Sequence, residues 1–452
     1  MEDLPARILR RVVALRIPIL FAYAVLVPLA AIRAARIPSE GGLDRLIVPS
    51  DPDYAATRAF QRIFPESPSV VLVFESADPW APASLSRVQT AVRELRAAPH
   101  VGAFSVLDAV QRARPGASPE QLRRLATGTD FFRKQGLLGD GFMSVIADLD
   151  AHGPAERDAA LRAIDAALER AGAGPVRRVG APYVESWLEQ QSGAASARYF
   201  PFFGALVVAV ALLLYRSVRT LLAFVLSLAS AVALGVAAGG LLGFPFTIVS
   251  VLVPLTVLVT TLASLVYLHS RFVDRPPGTP LREHQIAALR NKLLPVSAST
   301  FAAVLGFAAL SVSKVRPIRE LGLWTAIGLA LSWVVAFTLL PALQLVLRTP
   351  TGTASARSGG LYERVAAWVP SFTFRHRRGL VASALLVCLA GTVALFGVPG
   401  RLPAMSVGTD TLTYIDPSLP LRRDLVWFRE HVGDLSVAHV WIHLPRPAAT
   451  DP

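Results

Sequence analysis

Cysteine, lysine and charged residues are all scarce in this 452-residue sequence. Cys388 is the only cysteine, which excludes an intramolecular disulfide and any cysteine-based metal cluster. Only 17% of the residues are charged and 53% are hydrophobic, whereas soluble domains average about 25% and about 45–50%. A chain this apolar cannot remain solvated as a disordered polymer. The composition, with a mean hydropathy of +0.48, therefore predicts a membrane protein.

Seven apolar stretches are each long enough to cross a bilayer, which takes about 20 residues of helix. The predicted spans, numbered one to seven in chain order, are 15–35, 199–215, 220–242, 246–269, 293–313, 321–347 and 379–399. A buried core helix could account for one such stretch, but seven in one chain predict a polytopic α-helical membrane protein. In span three, Gly235, Gly239 and Gly243 recur every four residues and predict close packing against another helix.

Arginine supplies nearly all of the positive charge, because only three of the 45 basic residues are lysines. Arginines cluster before span one and in the loops after spans two, four and six, all on one side of the membrane if the spans alternate. A smaller cluster, Lys314, Arg316 and Arg319, lies on the other side. Because cytoplasmic loops carry the excess of Lys and Arg, we predict a cytoplasmic N-terminus. The net charge of +13 thus indicates topology, and nucleic acid is not predicted as a partner.

The first span could also be a cleavable signal peptide, because small residues follow its basic and apolar parts. Its apolar run is long, however, and Arg33 and Arg36 crowd the cleavage site, so we favour an uncleaved helix. The chain then divides into a cytoplasmic N-terminus with span one, an extracytoplasmic domain, spans two to six, a cytoplasmic linker, span seven, and the start of a second, truncated extracytoplasmic domain. The corresponding residues are 1–36, 37–198, 199–347, 348–378, 379–399 and 400–452.

The segment between spans one and two has the pattern of an α+β domain. The predicted strands are 70–74, 101–107, 142–149 and 176–184, and the predicted helices are 83–97 and 157–171. This order, strand–helix–strand twice, is typical of a ferredoxin-like domain. The sequence has no nucleophile–base pair, metal-ligand cluster or phosphate-binding glycine loop, so neither an enzyme nor a cofactor is predicted.

Short motifs recur in the same order after span one and after span seven. Asp51-Pro52 and an aromatic-containing segment at 59–62 precede the first strand, whereas Asp416-Pro417 and Trp427-Phe428-Arg429 precede a β-like run at 437–442. Few residues are identical, but the shared context favours an internal duplication. The chain would then contain one full repeat and the beginning of another, about half of a duplicated membrane protein.

The span order and two motifs resemble the resistance–nodulation–division (RND) superfamily. One motif is Gly180-Ala181-Pro182, which leads through Glu185 and Trp187 into span two. The other is 265–272, Leu-Val-Tyr-Leu-His-Ser-Arg-Phe, at the exit of span four. Within the superfamily the chain looks like the MMPL-type predicted exporters, and spans two to six also resemble a sterol-sensing-domain region.

The resemblance implies an RND-type half-transporter in a bacterial inner membrane, with residues 37–198 as a porter-like domain. It implies export of a lipid or another hydrophobic substrate, with membrane lipids as partners and a second half-transporter or self-association completing the assembly. Members with proton-driven transport carry an aspartate in span four, and Ala263 stands at that position, eight residues before Arg271. No acid lies within predicted spans two to seven. The alternative is therefore a non-transporting lipid-binding, sensor or scaffold protein that lost the proton relay.

Span four holds the candidate transport or gating positions, which are Pro254, Thr260, Thr261, Ala263, Ser264, Tyr267 and His269. Pro254 is expected at mid-span, where a proline frees a backbone carbonyl. The hydroxyl groups, with that of Thr256, either line a ligand path or hydrogen-bond to neighbouring helices. Tyr267 and His269 are expected to be interfacial anchors, with a titrating gate at His269 as the alternative.

Overall fold

Helices make up most of the protein, and a single described sheet lies between the first two membrane segments. The computed structural model describes residues 4–38, 68–128, 130–151, 153–247, 249–351, 361–397 and 415–433, with a few positions at 55–63 and 404–405. The chain begins with α1 (Leu4–Ala14) and α2 (Arg16–Ala35). The soluble domain follows with β1 (Ser69–Glu75), α3 (Pro82–Arg96), β2 (Val101–Ser105), α4 (Val106–Ala113), α5 (Pro119–Thr127), α6 (Asp130–Lys134), β3 (Leu138–Gly139), β4 (Phe142–Leu149), α7 (Pro154–Arg170) and β5 (Arg177–Val179). The remaining helices are α8 (Ala181–Tyr215), α9 (Val218–Leu241), α10 (Leu252–Val273), α11 (Leu281–Ala309), α12 (Arg316–Val346), α13 (Leu361–Arg375), α14 (Arg377–Phe396) and α15 (Pro420–His431).

Six of the described helices are long and apolar enough to cross a membrane: α2, α9, α10, α11 with the short turn after it, α12 and α14. They coincide with six of the seven predicted spans. The starts differ most in α11, α10 and α12: α11 and α12 begin earlier than predicted, within polar sequence, and α10 begins later. The seventh predicted span, 199–215, is helical and forms the C-terminal part of the 35-residue α8. It is not among the six candidate spans.

The sheet has the strand order β2-β4-β1-β5, with β3 paired to β4, and all described pairings are antiparallel. β1 and β4 form its centre, with Ser69 opposite Asp148 and Glu75 opposite Phe142. The predicted strands in the β1 and β4 regions are confirmed, as are the two predicted helices, which correspond to α3 and α7.

The other two predicted strands end early, one at a helix cap and the other at a glycine turn. β2 stops at Ser105, whose side chain accepts the Asp108 N–H while Asp108 accepts the Ser105 N–H, and this capping box starts α4. β5 stops at Val179 because Gly180, with a φ of 148°, turns the chain and Pro182 opens α8. The predictions of strand to 107 and to 184 are therefore wrong at their C-terminal ends.

One face of the sheet carries the main core of the soluble domain. α3 and α7 lie over it, and the buried side chains come from both helices and from the central strands. They include Leu85, Val88, Val92, Leu95, Leu161, Ile164, Leu168, Val70, Leu72, Val145 and Leu149. Full burial of a side chain of this size contributes about 1.5–3 kcal/mol, so this face supplies most of the domain's hydrophobic stabilisation.

The opposite face of the sheet is covered by α15, which comes from the C-terminal end of the described chain. Leu425 and Phe428 of α15 are buried in one cluster with Val73 of β1, Phe142 of β4 and Val179 of β5. Since β1 alternates its side chains between the two faces, this second core is separate from the one under α3 and α7. Both faces of the sheet are thus covered by helices.

Charged groups reinforce the contact between α15 and the sheet. Arg177 Nη1 lies 3.2 Å from Asp424 Oδ1, and the other Asp424 oxygen accepts the Arg178 N–H at 3.1 Å. The Arg177 guanidinium also lies 4.8 Å from the centre of the Trp427 ring. Residues 415–433, which the sequence assigns to the second extracytoplasmic segment, therefore bind the sheet of the first.

The contact between α15 and the sheet constrains the topology of the membrane helices. β5 and α15 touch, so they lie on the same side of the membrane, and the chain between them must cross it an even number of times. Five candidate spans, α9 to α12 and α14, lie between them. The number becomes even if the 199–215 part of α8 crosses as well, as in the predicted set of seven spans.

The helices at spans one and seven follow the same plan. α1 and α13 are each separated by one residue from an apolar helix of 20 residues, α2 and α14 respectively. The separating residues have similar backbone angles, with φ −85° and ψ 20° at Leu15 and φ −108° and ψ 21° at His376. The shared plan supports the predicted duplication and places the start of the second copy at α13, within the predicted linker.

The membrane bundle is held together where α9 crosses α12. Trp324 is fully buried, and its indole N–H donates to the Gly235 carbonyl at 2.8 Å. A Cβ atom added at Gly239 would lie 2.0 Å from the Trp324 ring, and one added at Gly235 would lie 3.3 Å from the Gly328 Cα. Close packing at Gly235 and Gly239 is therefore confirmed. Gly243 instead has a φ of 74° beyond the end of α9, and no described atom lies within 4 Å of an added Cβ, so its predicted packing role is wrong.

Gly239→Ala should destabilise the protein, because the added methyl group would overlap the indole of Trp324. Overpacking of this kind costs about 1–3 kcal/mol. The matched control is Gly391→Ala in α14, where no described atom lies within 4 Å of the added Cβ and alanine favours the helix. Thermal unfolding in detergent should show a lower midpoint for Gly239→Ala only, and equal midpoints for the two variants would contradict the packing account.

Candidate functional site

α10, the helix of span four, begins later than the sequence predicts. It starts at Leu252, so Pro254 is buried in its first turn rather than placed at mid-span. Backbone N–H groups of the first turn have no partner within the helix, so a proline there frees no carbonyl. The expectation of a proline-induced opening in the middle of span four is therefore wrong.

Three hydroxyl groups of α10 bond to their own helix. Thr256, Thr261 and Ser264 each donate to the carbonyl four residues earlier. Thr261 is fully buried, whereas Thr260 and Ser264 are half-buried. Because these local bonds satisfy the hydroxyl protons, the three side chains do not donate the interhelical hydrogen bonds that the sequence suggests.

The position predicted for the family's aspartate faces out of the bundle. Ala263 is exposed and lies on one stripe of α10 with Val259 and Tyr267, which are 44% and 43% exposed. The Lys292 ammonium nitrogen lies 3.6 Å from the centre of the Tyr267 ring. This stripe carries no carboxylate, so α10 offers no acid for proton exchange at the aligned position.

His269 is fully buried, although the sequence suggests an interfacial anchor, and it lies at the end of the bundle remote from the soluble domain. Its Nδ1 is 2.9 Å from Gln344 Nε2 of α12. Gln285 of α11 donates to Gln344 Oε1 at 3.0 Å and to the Pro341 carbonyl at 2.9 Å. The His269–Gln344–Gln285 cluster therefore joins α10, α11 and α12 through one row of buried polar side chains.

The hydrogen bonds of this cluster fix its protonation pattern. Gln344 Nε2 can only donate, so His269 Nδ1 accepts and the neutral ring carries its proton on Nε2. Among the described residues, His269 Nε2 and Gln285 Oε1 have no hydrogen-bond partner. The rings of Tyr215 and Phe224 close the site, with centres 4.6 Å and 5.3 Å from that of His269. An ionisable side chain buried among membrane helices is a functional-site candidate by default, and here it keeps one unused donor.

Sequence reasoning misses Gln285, Gln344 and Glu320. Predicted span five begins after Gln285, and the uncharged amide of Gln344 has no distinctive spacing. Predicted span six begins one residue after Glu320, which the structure includes in α12, where it is 9% exposed and its Oε1 lies 2.7 Å from Arg316 Nε. The sequence signal that could have identified such residues is a single amide or acid inside, or directly beside, an apolar run.

A separate groove lies on the outside of the bundle between α2, α8 and α9. Its volume is about 470 Å³, it is open on one side, and no charged residue lines it. Small side chains create the space, namely Ala31, Ala34, Gly204, Ala229 and Ala233. Ligand pockets of roughly 300–1,000 Å³ with apolar walls bury most of a small ligand, so the groove has the size and chemistry to hold a hydrocarbon chain.

A buried arginine ties the soluble domain to α8. Arg157 of α7 has guanidinium nitrogens 2.8 Å from a Glu189 oxygen and 3.4 Å from a Glu185 oxygen, both in the part of α8 that precedes span two. Burial disfavours the charge, but Glu189 and then Asp158 outweigh it and raise the pKa of Arg157 above its ordinary value. The ion pairs therefore persist at physiological pH. Because α8 continues from them into span two, a shift of that span would move this attachment point.

These features define a polytopic membrane protein, with a helical bundle around a buried polar cluster and an α+β domain outside the bundle. Residues 48–378 match the MMPL family, and the chain belongs to that family. The matched region contains the soluble domain and spans two to six, including both motifs that carry the resemblance. Membership supports a transporter-like function in general. A search of curated proteins finds no significant match.

Gln344→Leu should destabilise the bundle, because it leaves His269 Nδ1 and Gln285 Nε2 without one of their partners. A buried polar group that loses its partner costs about 1–3 kcal/mol. His269→Phe should have a cost of the same order, since it strands the Gln344 amide. The double variant should cost less than the sum of the two single changes, because both ends of one hydrogen bond are then removed.

The measurement for this cluster is a double-mutant cycle on unfolding in detergent. The matched control is Tyr267→Phe, which changes a half-exposed ring on the same helix and should alter stability by less than about 0.5 kcal/mol. Strictly additive effects of His269→Phe and Gln344→Leu would show that the two side chains do not act together.

Proposed function

We propose that this MMPL-family protein exports a lipid or another hydrophobic molecule from a bacterial inner membrane. The observation that carries the proposal is the groove between α2, α8 and α9, which is apolar, of suitable volume and open on one side. A hydrophobic substrate could enter it sideways from the bilayer without crossing a polar surface. Membrane lipids are then both the surroundings and the source of the substrate.

The proposed orientation places the N-terminus in the cytoplasm and the soluble domain outside it. Its support is the excess of arginine at the ends of the spans remote from the soluble domain. We assign the soluble domain a ferredoxin-like, porter-like role. Its support is the strand–helix–strand order repeated twice and the strand order β2-β4-β1-β5. The proposal assigns neither catalysis nor nucleic-acid binding to this chain.

The second candidate function is a non-transporting lipid-binding, sensor or scaffold protein. The observation that favours it is the outward-facing Ala263 at the position of the family's aspartate. The described acids within α9 to α12 are Glu283, which is exposed in the first turn of α11, and Glu320, which pairs with Arg316. Neither lies within a predicted span, so the His269–Gln344–Gln285 cluster is the remaining place among these helices where a proton could be exchanged within the membrane.

Ala233→Phe should weaken binding of a hydrocarbon-chain ligand, because the ring would occupy part of the groove. Ala263→Phe is the matched control, since it adds the same side chain on the outward face of α10. Binding of a fluorescent fatty-acyl lipid to the full-length protein in detergent should weaken at least tenfold in Ala233→Phe, about 1.4 kcal/mol, and stay unchanged in Ala263→Phe. Equal affinities in both variants would argue against the groove as the binding site.

Reconstituted vesicles separate the two candidate functions. An exporter should move the fluorescent lipid between leaflets, and Ala233→Phe should reduce the rate. A protein that binds the lipid in the groove but moves none, with or without a proton gradient, is the sensor or scaffold instead.

The proposal also requires a second helical unit beside α14. No residue of α14 is buried, whereas its counterpart α2 rests on α9 and α12 through Arg33, which donates to the Gly240 carbonyl at 3.1 Å, and Tyr23, whose hydroxyl lies 2.9 Å from Thr338 Oγ1. A second copy of this chain offers no free surface of this kind, because its own α2 already covers its α9 and α12. We therefore assign α14 to the α9- and α12-like surface of a second helical unit.

Oxidative cross-linking tests this assignment, because the native Cys388 is exposed on α14 and is the only cysteine. Copper phenanthroline should leave the membrane-embedded protein free of Cys388–Cys388 dimers. The control replaces Cys388 with serine and Ser383 with cysteine, which samples the other side of α14. A disulfide-linked dimer from either protein, absent in Cys388→Ser alone, would establish self-association through α14 instead.

A further inference from the structure

An exposed aromatic row runs along α13 to the start of α14. The rings of Trp368 and Phe372 stack with centres 4.9 Å apart, and those of Phe372 and His376 lie 4.6 Å apart. Trp368 is 59% exposed and Phe372 37% exposed. Four-residue spacing places all three rings on one side of the helix, so a continuous row of ring edges faces away from the described protein.

Three arginines lie at the end of this row. Arg375 closes α13, and Arg377 and Arg378 open α14, and all three are exposed. Because α14 is a candidate span, its first turn lies at a membrane surface. That surface is the one remote from the soluble domain, since the other end of α14 leads to α15. The arginines and the His376 end of the aromatic row therefore meet at the boundary between hydrocarbon and water.

The corresponding surface of the first copy has a different composition. Counted from the single-residue breaks at Leu15 and His376, the positions of Trp368 and Phe372 correspond to Arg7 and Arg11. Both of these arginines are exposed. α1 thus presents only positive charge at this place, whereas α13 presents aromatic rings next to positive charge.

We propose that the Trp368–Phe372–His376 row and the neighbouring arginines form a binding site for an anionic phospholipid at the membrane surface. Aromatic rings favour the headgroup level of a bilayer, because one side of the ring stays in apolar contact while its edge meets water. Guanidinium groups pair with phosphate through two parallel hydrogen bonds. The two features are adjacent here, so one lipid can place its phosphate on the arginines and the upper part of its chains on the rings.

Quenching by brominated lipids tests the site in the full-length protein. In neutral detergent, phosphatidylglycerol brominated on its acyl chains should quench tryptophan fluorescence at lower concentration than brominated phosphatidylcholine. The protein has seven tryptophans, so Trp368→Phe identifies the part of the quenching that comes from this site, and that part should disappear. The triple change Arg375→Gln, Arg377→Gln and Arg378→Gln should weaken phosphatidylglycerol binding about a hundredfold, since each arginine near an anionic surface contributes roughly a fivefold preference.

A second triple variant controls for net charge. Arg93→Gln, Arg114→Gln and Arg124→Gln remove three exposed arginines of the soluble domain and should leave lipid binding unchanged. Raised salt should weaken phosphatidylglycerol binding in the unmodified protein but not in the Arg375, Arg377 and Arg378 variant. Equal affinity for the two lipids, or an equal loss in both triple variants, would overturn the proposal.

Discussion

The membrane part of this protein depends on the close approach of α9 and α12 at Trp324. Lipid removes most of the hydrophobic driving force between helices, so close packing and hydrogen bonds must hold them together. Gly239 leaves space for the indole ring, and the Gly235 carbonyl accepts its N–H. This contact fixes α12, which also carries Gln344 at its other end. It likewise fixes α9, whose lipid-facing side forms one wall of the groove.

Described contacts hold the soluble domain at two of its connections to the membrane helices. One is α8, a single helix that is held to α7 by the Arg157 ion pairs and continues into span two. The other is α14, whose far end leads to α15 on the face of the sheet opposite α3 and α7. A rearrangement of the membrane helices could therefore reach the sheet from its α7 side and from its α15 side. This arrangement suits a protein in which movement of the membrane helices changes a substrate pathway through the soluble domain. It would also suit a sensor.

Most of the fold could be predicted from the sequence because it follows from length and periodicity. Long apolar runs identify spans without reference to their neighbours. The strands β1 and β4 can be predicted from their own short apolar sequence patterns. The functional side chains could not be predicted in the same way. Whether His269 lies at an interface or inside depends on Gln344 and Gln285 from two other helices, and Ala263 faces outward because of how α10 is rotated in the bundle. The contact of α15 with the sheet is equally invisible in sequence, since it joins segments more than two hundred residues apart.

We propose that the groove between α2, α8 and α9 holds a hydrocarbon chain. Photo-cross-linking with a lipid that carries a diazirine on its acyl chain tests this directly, with the modified peptides identified by mass spectrometry. We expect labels on the groove residues, above all those around Ala229 and Ala233 of α9, and their loss in Ala233→Phe. Labels concentrated instead on the outward stripe of α10 around Ala263, unaffected by Ala233→Phe, would contradict it.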